Sequence, residues 1–378
     1  MRGAWRRAAS GRRWAAVAAA ALALALTAGC SRAGGADALA AVADPYARPG
    51  RLVKLPDGRQ LNLRCSGKGS PTVVFESGFG AAPSAWVKVQ PQLSRTTRTC
   101  AYDRAGYGFS DPGPLPRDAA AVARDLDQGL TAAGLKGPFI VVGHSSGGMY
   151  ARVFAARRPR DVVGLVLLDP TPEHRVAQPA GDGLDGPRGR VRRCLAAAET
   201  TPQPPLDGPA WSGCQPAHPS PHDVAVVRRA GTWQAQLSEL DELFGRSSDQ
   251  VMRAQNQLSA VPIYVITASA SANNTPSYGL DGKTQLEILH LQMARASRNG
   301  SQRTVSSSHL VMIDRPEVVI AAVSEMIDAA RAHREPAPLP PGENPVLPET
   351  DILKELFANP RGLLAPPDPT PPSANEQN

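Results

Sequence analysis

Apolar positions along this chain fall into short runs separated by longer amphipathic stretches. Leu52–Cys65 alternates apolar and polar residues around Pro56-Asp57-Gly58, the pattern of two strands joined by a tight turn. Thr72–Glu76, Thr99–Asp103, Phe139–Val142, Val162–Leu168 and Val261–Thr267 are near-continuous apolar runs of strand length, and Arg303–Val305 makes a last short strand. Between them the period becomes helical: Ala85–Leu93, a stretch capped by Asp118 that ends at Ala133 with Gly134 as its stop, one that runs to Arg158 before Pro159, and Thr284–Ala296 with Leu286, Leu289 and Met293 in step. Asp314 is expected to cap a final helix with Glu317 as its capping-box partner, turning Val318, Val319, Ala322, Val323 and Met326 to the core. Strands alternating with helices imply an α/β fold built on a mostly parallel sheet covered on both faces. From about Thr171 to Ala260 this alternation lapses and proline, arginine, Cys194 and Cys214 appear. No internal repeat is evident.

The chemistry gathers where a strand meets a helix, at Gly143-His144-Ser145-Ser146-Gly147. This is G-x-S-x-G at a sharp turn, which needs glycines because side chains there would strike the neighbouring strand or helix. Ser145 is thereby presented at the carboxyl end of the sheet as a nucleophile, with the Ser146 N–H aimed at any oxyanion formed beside it. His144 is expected to pack against a neighbouring strand rather than act as a base. A serine hydroxyl is too weakly acidic to attack a carbonyl unaided; it needs a base, and a carboxylate to orient that base. His309, after the last strand and before the final helix, is the base expected, whereas His290 and His333 lie within or at the end of helical patterns. His174, His218 and His222 lack ligand spacing and read as surface polar residues.

Composition changes the picture mainly at the N-terminus. Arg2, Arg6, Arg7, Arg12 and Arg13 precede an apolar run from Trp14 to Leu26, the pattern of an export signal over residues 1–30. Thr27-Ala-Gly-Cys30 resembles a bacterial lipobox, which implies lipidation of Cys30, with Thr27 standing where leucine is commoner; a plain secretory cut is the alternative, and Arg12-Arg13 leaves a twin-arginine route open. The formal charge of +7 falls to +2 once those five arginines are set aside, which removes the compositional case for nucleic-acid binding. Without Cys30, the cysteines are Cys65, Cys100, Cys194 and Cys214, an even number that reads as two disulfides in an exported chain. No C-x-x-C or His/Cys cluster suggests a metal, and no cofactor is expected. Residues 31–49 form a small, polar tether; residues 334–378, rich in proline, read as a disordered tail or a surface-hugging arm.

Phe75-Glu-Ser-Gly-Phe-Gly80, Tyr102-Asp-Arg-Ala-Gly-Tyr-Gly-Phe-Ser-Asp111 and Gly143-His-Ser-Ser-Gly-Gly148 together resemble the successive landmarks of the α/β-hydrolase superfamily, in its esterase-like members with a serine nucleophile. The resemblance covers residues 50–333. It implies an eight-stranded, mostly parallel sheet with a cap, about residues 171–260, inserted after the sixth strand. Ser77-Gly78-Phe79 takes the place of the family's His-Gly-x loop, which makes the Phe79 N–H the second oxyanion donor. Asp103 corresponds to a residue that fixes its own loop by accepting backbone N–H groups. Trp211 and Trp233 either line an acyl site or pack the cap against its own core. The superfamily's strand order makes the second and fourth strands antiparallel neighbours, which implies the pairs Cys65–Cys100 and Cys194–Cys214.

The triad acid is where the resemblance leaves a choice. Most relatives place it just after the seventh strand, but Ala268–Leu280 contains no carboxylate. Asp169, at the carboxyl end of the sixth strand, is the expected acid; Asp281 is the next available, and Asn273 or Asn274 would orient a histidine only weakly. The implied activity is cleavage of a small-molecule ester through an acyl-enzyme. An amide-cleaving aminopeptidase on the same fold and a non-catalytic cell-surface binding protein remain as alternatives. Neither the acyl and alcohol groups nor the oligomeric state is written in the sequence.

Overall fold

The apolar runs form one eight-stranded sheet in the computed structural model, which describes residues 46–173, 185–215, 221–275, 277 and 283–342. The expected leader, Cys30, most of the tether, His174, His218, Asp281 and the tail from 343 lie outside the described residues. The chain divides at Arg48/Pro49, and the fold is that of the unit from Pro49 onward.

The strands are β1 (Arg51–Lys54), β2 (Gln60–Ser66), β3 (Thr72–Glu76), β4 (Thr99–Tyr102), β5 (Phe139–His144), β6 (Val162–Leu168), β7 (Ile263–Ala268) and β8 (Gly300–Val305), in the spatial order β1-β2-β4-β3-β5-β6-β7-β8. β2 is antiparallel to β1 and β4; every other pairing is parallel. β3 and β5 are buried along their whole length, as their unbroken apolar sequences require of strands covered on both faces. α1 (Ala119–Ala132) and α2 (Gly147–Arg157) cover one face, where Leu126, Leu130, Met149 and Phe154 meet Val141, Leu165 and Leu167. On the other face Trp86, Val319, Val323 and Met326 close over Phe75, Ile140, Val166 and Ile266. Asp118 caps α1 by accepting the Ala121 N–H at 2.9 Å, and Gly134 turns the chain away at φ +73°.

Both disulfides form. Cys65 and Cys100 stand directly opposite each other on antiparallel β2 and β4, with Cα atoms 4.0 Å apart, and Cys194 is bonded to Cys214.

After β6 the described chain is helical up to β7: α3 (Asp185–Glu199), α4 (Pro221–Val227), α5 (Ala230–Glu242) and α6 (Ser248–Gln255). Val191, Cys194, Trp211, Cys214, Val227, Trp233 and Leu240 form a separate small core. From Leu243 onward the side chains join the main core instead, through Leu243, Val251, Ala254 and Leu258. The cap's own core therefore ends before residue 260, because α6 turns its apolar stripe to α2. Trp211 and Trp233 pack that cap core, their indole N–H groups donating to Pro204 O (3.1 Å) and Val227 O (2.7 Å).

Two expectations about these elements need correction. Ala85–Leu93 is not one helix but a short turn at Pro83–Trp86 and another at Gln90–Leu93, because Pro91 is tolerated only in a first turn. Asp314 does not cap the last helix, α8 (Pro316–Arg331); Pro316 sets its start, and Asp314 accepts the Ser308 N–H at 2.9 Å, bracing the loop that carries His309. Of the two readings of the proline-rich segment, its described beginning follows the surface-hugging arm: Tyr264 donates to Ala337 O, the Leu339 N–H donates to Ser301 Oγ at 2.9 Å, and Leu339 packs on the core.

α7 (Gln285–Arg295), between β7 and β8, begins with a capping box formed by Thr284 and Glu287.

Candidate active site

The turn between β5 and α2 carries Ser145 at φ +53°, a left-handed conformation that costs a non-glycine residue about 1–2 kcal/mol. The neighbours allow nothing bulkier: a Cβ on Gly143 would lie 2.7 Å from Gly147 O, and one on Gly147 would lie 2.4 Å from Glu76 O. The Ser145 N–H donates to Leu168 O at 3.0 Å, and Ser145 O accepts from Gly148 N (2.9 Å) and Thr171 N (3.0 Å). Those bonds tie the elbow to the end of β6, where Asp169 stands.

Asp169 is also left-handed, at φ +41°, and its N–H donates to Ile266 O at 2.7 Å. Its side chain is 2% exposed and both carboxylate oxygens are engaged. Oδ1 accepts the Ala268 N–H at 3.0 Å; Oδ2 accepts the Ser271 hydroxyl and, at 2.6 Å, His309 Nδ1–H. Burial alone would raise this carboxyl, but the hydrogen bond from His309, the charge of His290 and His309 and the Ser271 hydroxyl outweigh it and hold it below the usual aspartate value. The end of β7 and the turn after it, with no carboxylate from Ala268 to Leu280, thus supply two donors to an acid on the neighbouring strand. Asn273 and Asn274 are exposed.

His309 follows β8, with its side chain 48% exposed. Donation from Nδ1 to Asp169 leaves Nε2 as the acceptor of the neutral ring. Among the described residues neither Ser145 Oγ nor His309 Nε2 makes a hydrogen bond. The side chain that links the elbow to the histidine loop is that of His144. Its Nε2–H donates to His309 O at 2.9 Å, and its ring centroid is 4.6 Å from that of His309. His144 therefore packs on the histidine loop, not against a neighbouring strand as expected. Burial, and then the charge of His309, push its pKa down to about 4, so it stays neutral.

The Phe79 and Ser146 N–H groups donate to nothing among the described residues, which leaves both available to a ligand. Asp103 fixes its loop as expected, accepting Phe109 N–H at 3.0 Å and Asn62 Nδ2–H at 2.7 Å. His222 is stacked on Phe109 with ring centroids 3.5 Å apart, so it is less free than a surface residue.

Sequence reasoning missed four contributors: Ser271, His290, and the buried pair Glu76 and Arg104. His290 lies in a helix as its pattern implies, yet α7 delivers it next to the end of β6, where Nε2–H donates to Pro170 O at 2.7 Å and Nδ1 accepts from Thr267 Oγ1 at 2.8 Å. Its signal was a histidine on the apolar face of an amphipathic helix. For Glu76 and Arg104 the signal was a charge inside a landmark motif with no solvent-facing reason to be there.

A family model described as "Alpha/beta hydrolase family" matches residues 73–322. YqjL, an uncharacterized protein of Bacillus subtilis (strain 168), is 34% identical over 104 residues, 28% of this chain and 41% of that protein. An AB hydrolase superfamily protein of Gibberella zeae is 36% identical over 107 residues, 27% of this chain and 33% of that protein. The matched segments therefore span less than half the length of these relatives. Among solved structures, the enol-lactonase from Burkholderia xenovorans LB400 superposes with a TM-score of 0.54 at 18% identity, over 74% of this chain and 100% of that one. A lipase candidate from Acinetobacter baumannii AYE gives 0.56 at 15% identity, over 76% and 94%; both likenesses concern the fold alone. The chain belongs to the alpha/beta hydrolase family.

Proposed function

We propose that this chain is a serine hydrolase that cleaves a small-molecule carboxylic ester through an acyl-enzyme. The observation that carries the reading is the 2.6 Å hydrogen bond from His309 Nδ1 to the buried, ionised Asp169. It fixes the tautomer in which Nε2 can take a proton from Ser145. Ser145 Oγ adds to the ester carbonyl, and the Phe79 and Ser146 N–H groups receive the oxyanion. His309 returns the proton to the leaving alcohol, then takes one from the water that releases the acid. One oxyanion donor contributes about 3–4 kcal/mol to such a transition state.

An aminopeptidase would need a free acidic group in the cap for the substrate amine. The buried cap carboxylate Glu239 is already engaged by Arg104, which also holds the oxyanion loop, and by Tyr107, which favours the ester. The paired cysteines are in keeping with an exported protein, and lipidation at Cys30 would anchor it to a membrane.

A panel of p-nitrophenyl esters and aminoacyl p-nitroanilides tests the reaction class. Short acyl esters should turn over, with Ser145→Ala and His309→Ala each inactive yet folded. Faster cleavage of the anilides would reassign the protein to the peptidases, and wild-type turnover by Ser145→Ala would remove the mechanism.

A further inference from the structure

Arg104 follows β4 in a loop, yet it is buried and every one of its five N–H groups is used. Nε–H donates to Glu239 Oε1 at 3.0 Å. The two Nη2 hydrogens go to Glu239 Oε2 (3.1 Å) and Gly78 O (2.9 Å). Those on Nη1 go to Glu76 Oε1 (3.2 Å) and Ser77 O (2.6 Å). One guanidinium plane thus joins the end of β3, the loop that follows it and helix α5 of the cap. Around it, Tyr107 donates to Glu239 Oε2 at 2.9 Å, Tyr102 donates to Glu76, and the rings of Tyr107 and Tyr150 lie 4.6 and 5.4 Å from the guanidinium carbon.

The consequence follows from peptide geometry. Gly78 C=O and Phe79 N–H are the two ends of one planar trans unit and point in opposite directions. A guanidinium that holds the carbonyl therefore fixes the direction of the N–H, and its charge polarises the unit so that the N–H becomes a stronger donor. The loop lies against the elbow, since a Cβ on Gly78 would stand 3.1 Å from Ser145 Cβ and 2.8 Å from His144 Nδ1.

We propose that Arg104 is a positioning residue for the Phe79 N–H and that Glu239 locks it, so the oxyanion pocket is complete only while cap helix α5 is docked. The inference rests on the reading of Phe79 and Ser146 as oxyanion donors. Charge balance agrees with it. Two carboxylates, Glu76 and Glu239, face one guanidinium and accept from the hydroxyls of Tyr102 and Tyr107, and burial pushes Glu76 up to about 7. Below neutral pH Glu76 is then mostly protonated, and Arg104 is left paired one-to-one with Glu239. Bidentate recognition of this kind is specific to arginine; a lysine ammonium is a point charge with three donors.

The test combines ester kinetics with hydrogen–deuterium exchange across residues 76–82, in wild type, Arg104→Lys and the milder Glu239→Gln, with Ser145→Ala as control. The proposal expects kcat to fall roughly 10²-fold, the scale of losing one oxyanion donor, while KM stays within about threefold. Exchange at 76–82 should rise about tenfold in both variants, with the central strands unchanged. A folded Glu239→Gln protein that keeps both wild-type kcat and wild-type exchange at 76–82 overturns the proposal, as does a loss confined to KM. If wild type hydrolyses no ester, or Ser145→Ala is fully active, the reaction assignment fails by itself. The exchange then decides the latch: raised protection loss at 76–82 supports it, and unaltered exchange overturns it.

Discussion

Replacing Asp169 by Asn changes one atom of the side chain and removes one charge. The amide oxygen can still accept the Ala268 N–H, now made at 3.0 Å. The amide nitrogen, however, presents hydrogens where Oδ2 now accepts His309 Nδ1–H at 2.6 Å. Two donors cannot face each other, so His309 must shift its proton to Nε2 and accept from the new amide. Nε2–H then points toward Ser145, and the ring can no longer take the serine proton. The same change in a serine-protease triad lowers kcat about 10⁴-fold, which is about 5.4 kcal/mol at 1.36 kcal/mol per decade. Asp169→Asn should therefore hydrolyse a p-nitrophenyl ester about 10⁴-fold more slowly in kcat, with KM little changed and an intact near-ultraviolet circular dichroism spectrum. Retention of more than a tenth of wild-type kcat would refute the reasoning; if Asp281→Asn then proved inactive, the acid belongs to the loop after β7.

The remaining predictions concern stability and location. Glu76 has its pKa raised from 4.5 to about 7 by burial, opposed by Arg104 and Tyr102. The folded state therefore keeps a proton that the unfolded chain has lost, and stability from this group declines as pH climbs from about 4.5 to 7. Over that interval the stability of wild type relative to Glu76→Gln should drop by about 3 kcal/mol, read from urea titrations at several pH values; a constant gap contradicts it. Replacing Cys65 and Cys100 together by serine opens a loop with a sequence separation of 35 and should cost roughly 4 kcal/mol. Unchanged urea midpoints would show that the bridge contributes nothing. Cys30→Ser should move the protein from the membrane fraction to the medium or block its processing, and unchanged fractionation would favour a plain secreted protein.

Much of the sheet was legible because its strands are buried on both faces, and full burial writes itself as unbroken apolar runs such as Thr72–Glu76 and Val162–Leu168. The strained turn at Ser145 was legible because such a turn demands glycines at fixed offsets. Asp169 could be picked out as the carboxylate beside His309 from what the neighbouring segment Ala268–Leu280 lacked. The cap was harder, since amphipathic helices do not say which core they face, and α6 turned to the main domain while α5 stayed with the cap. Networks such as Glu76–Arg104–Glu239 were out of reach because their partners are contributed by distant segments, β3, the loop after β4, and α5. A charged residue inside an apolar setting signals that a partner exists without naming it. Similarly, Pro91 could have warned that Ala85–Leu93 breaks, since a proline cannot occupy a helix interior.

The central claim is that Ser145 is a nucleophile activated by His309 and Asp169. Its most direct measurement is labelling of the folded protein with a fluorophosphonate, followed by peptide mass spectrometry. The account predicts one stoichiometric adduct on the peptide carrying Ser145, absent in Ser145→Ala and formed at least a hundredfold more slowly in His309→Ala. An unlabelled wild-type protein, or an adduct on any other residue, would contradict it.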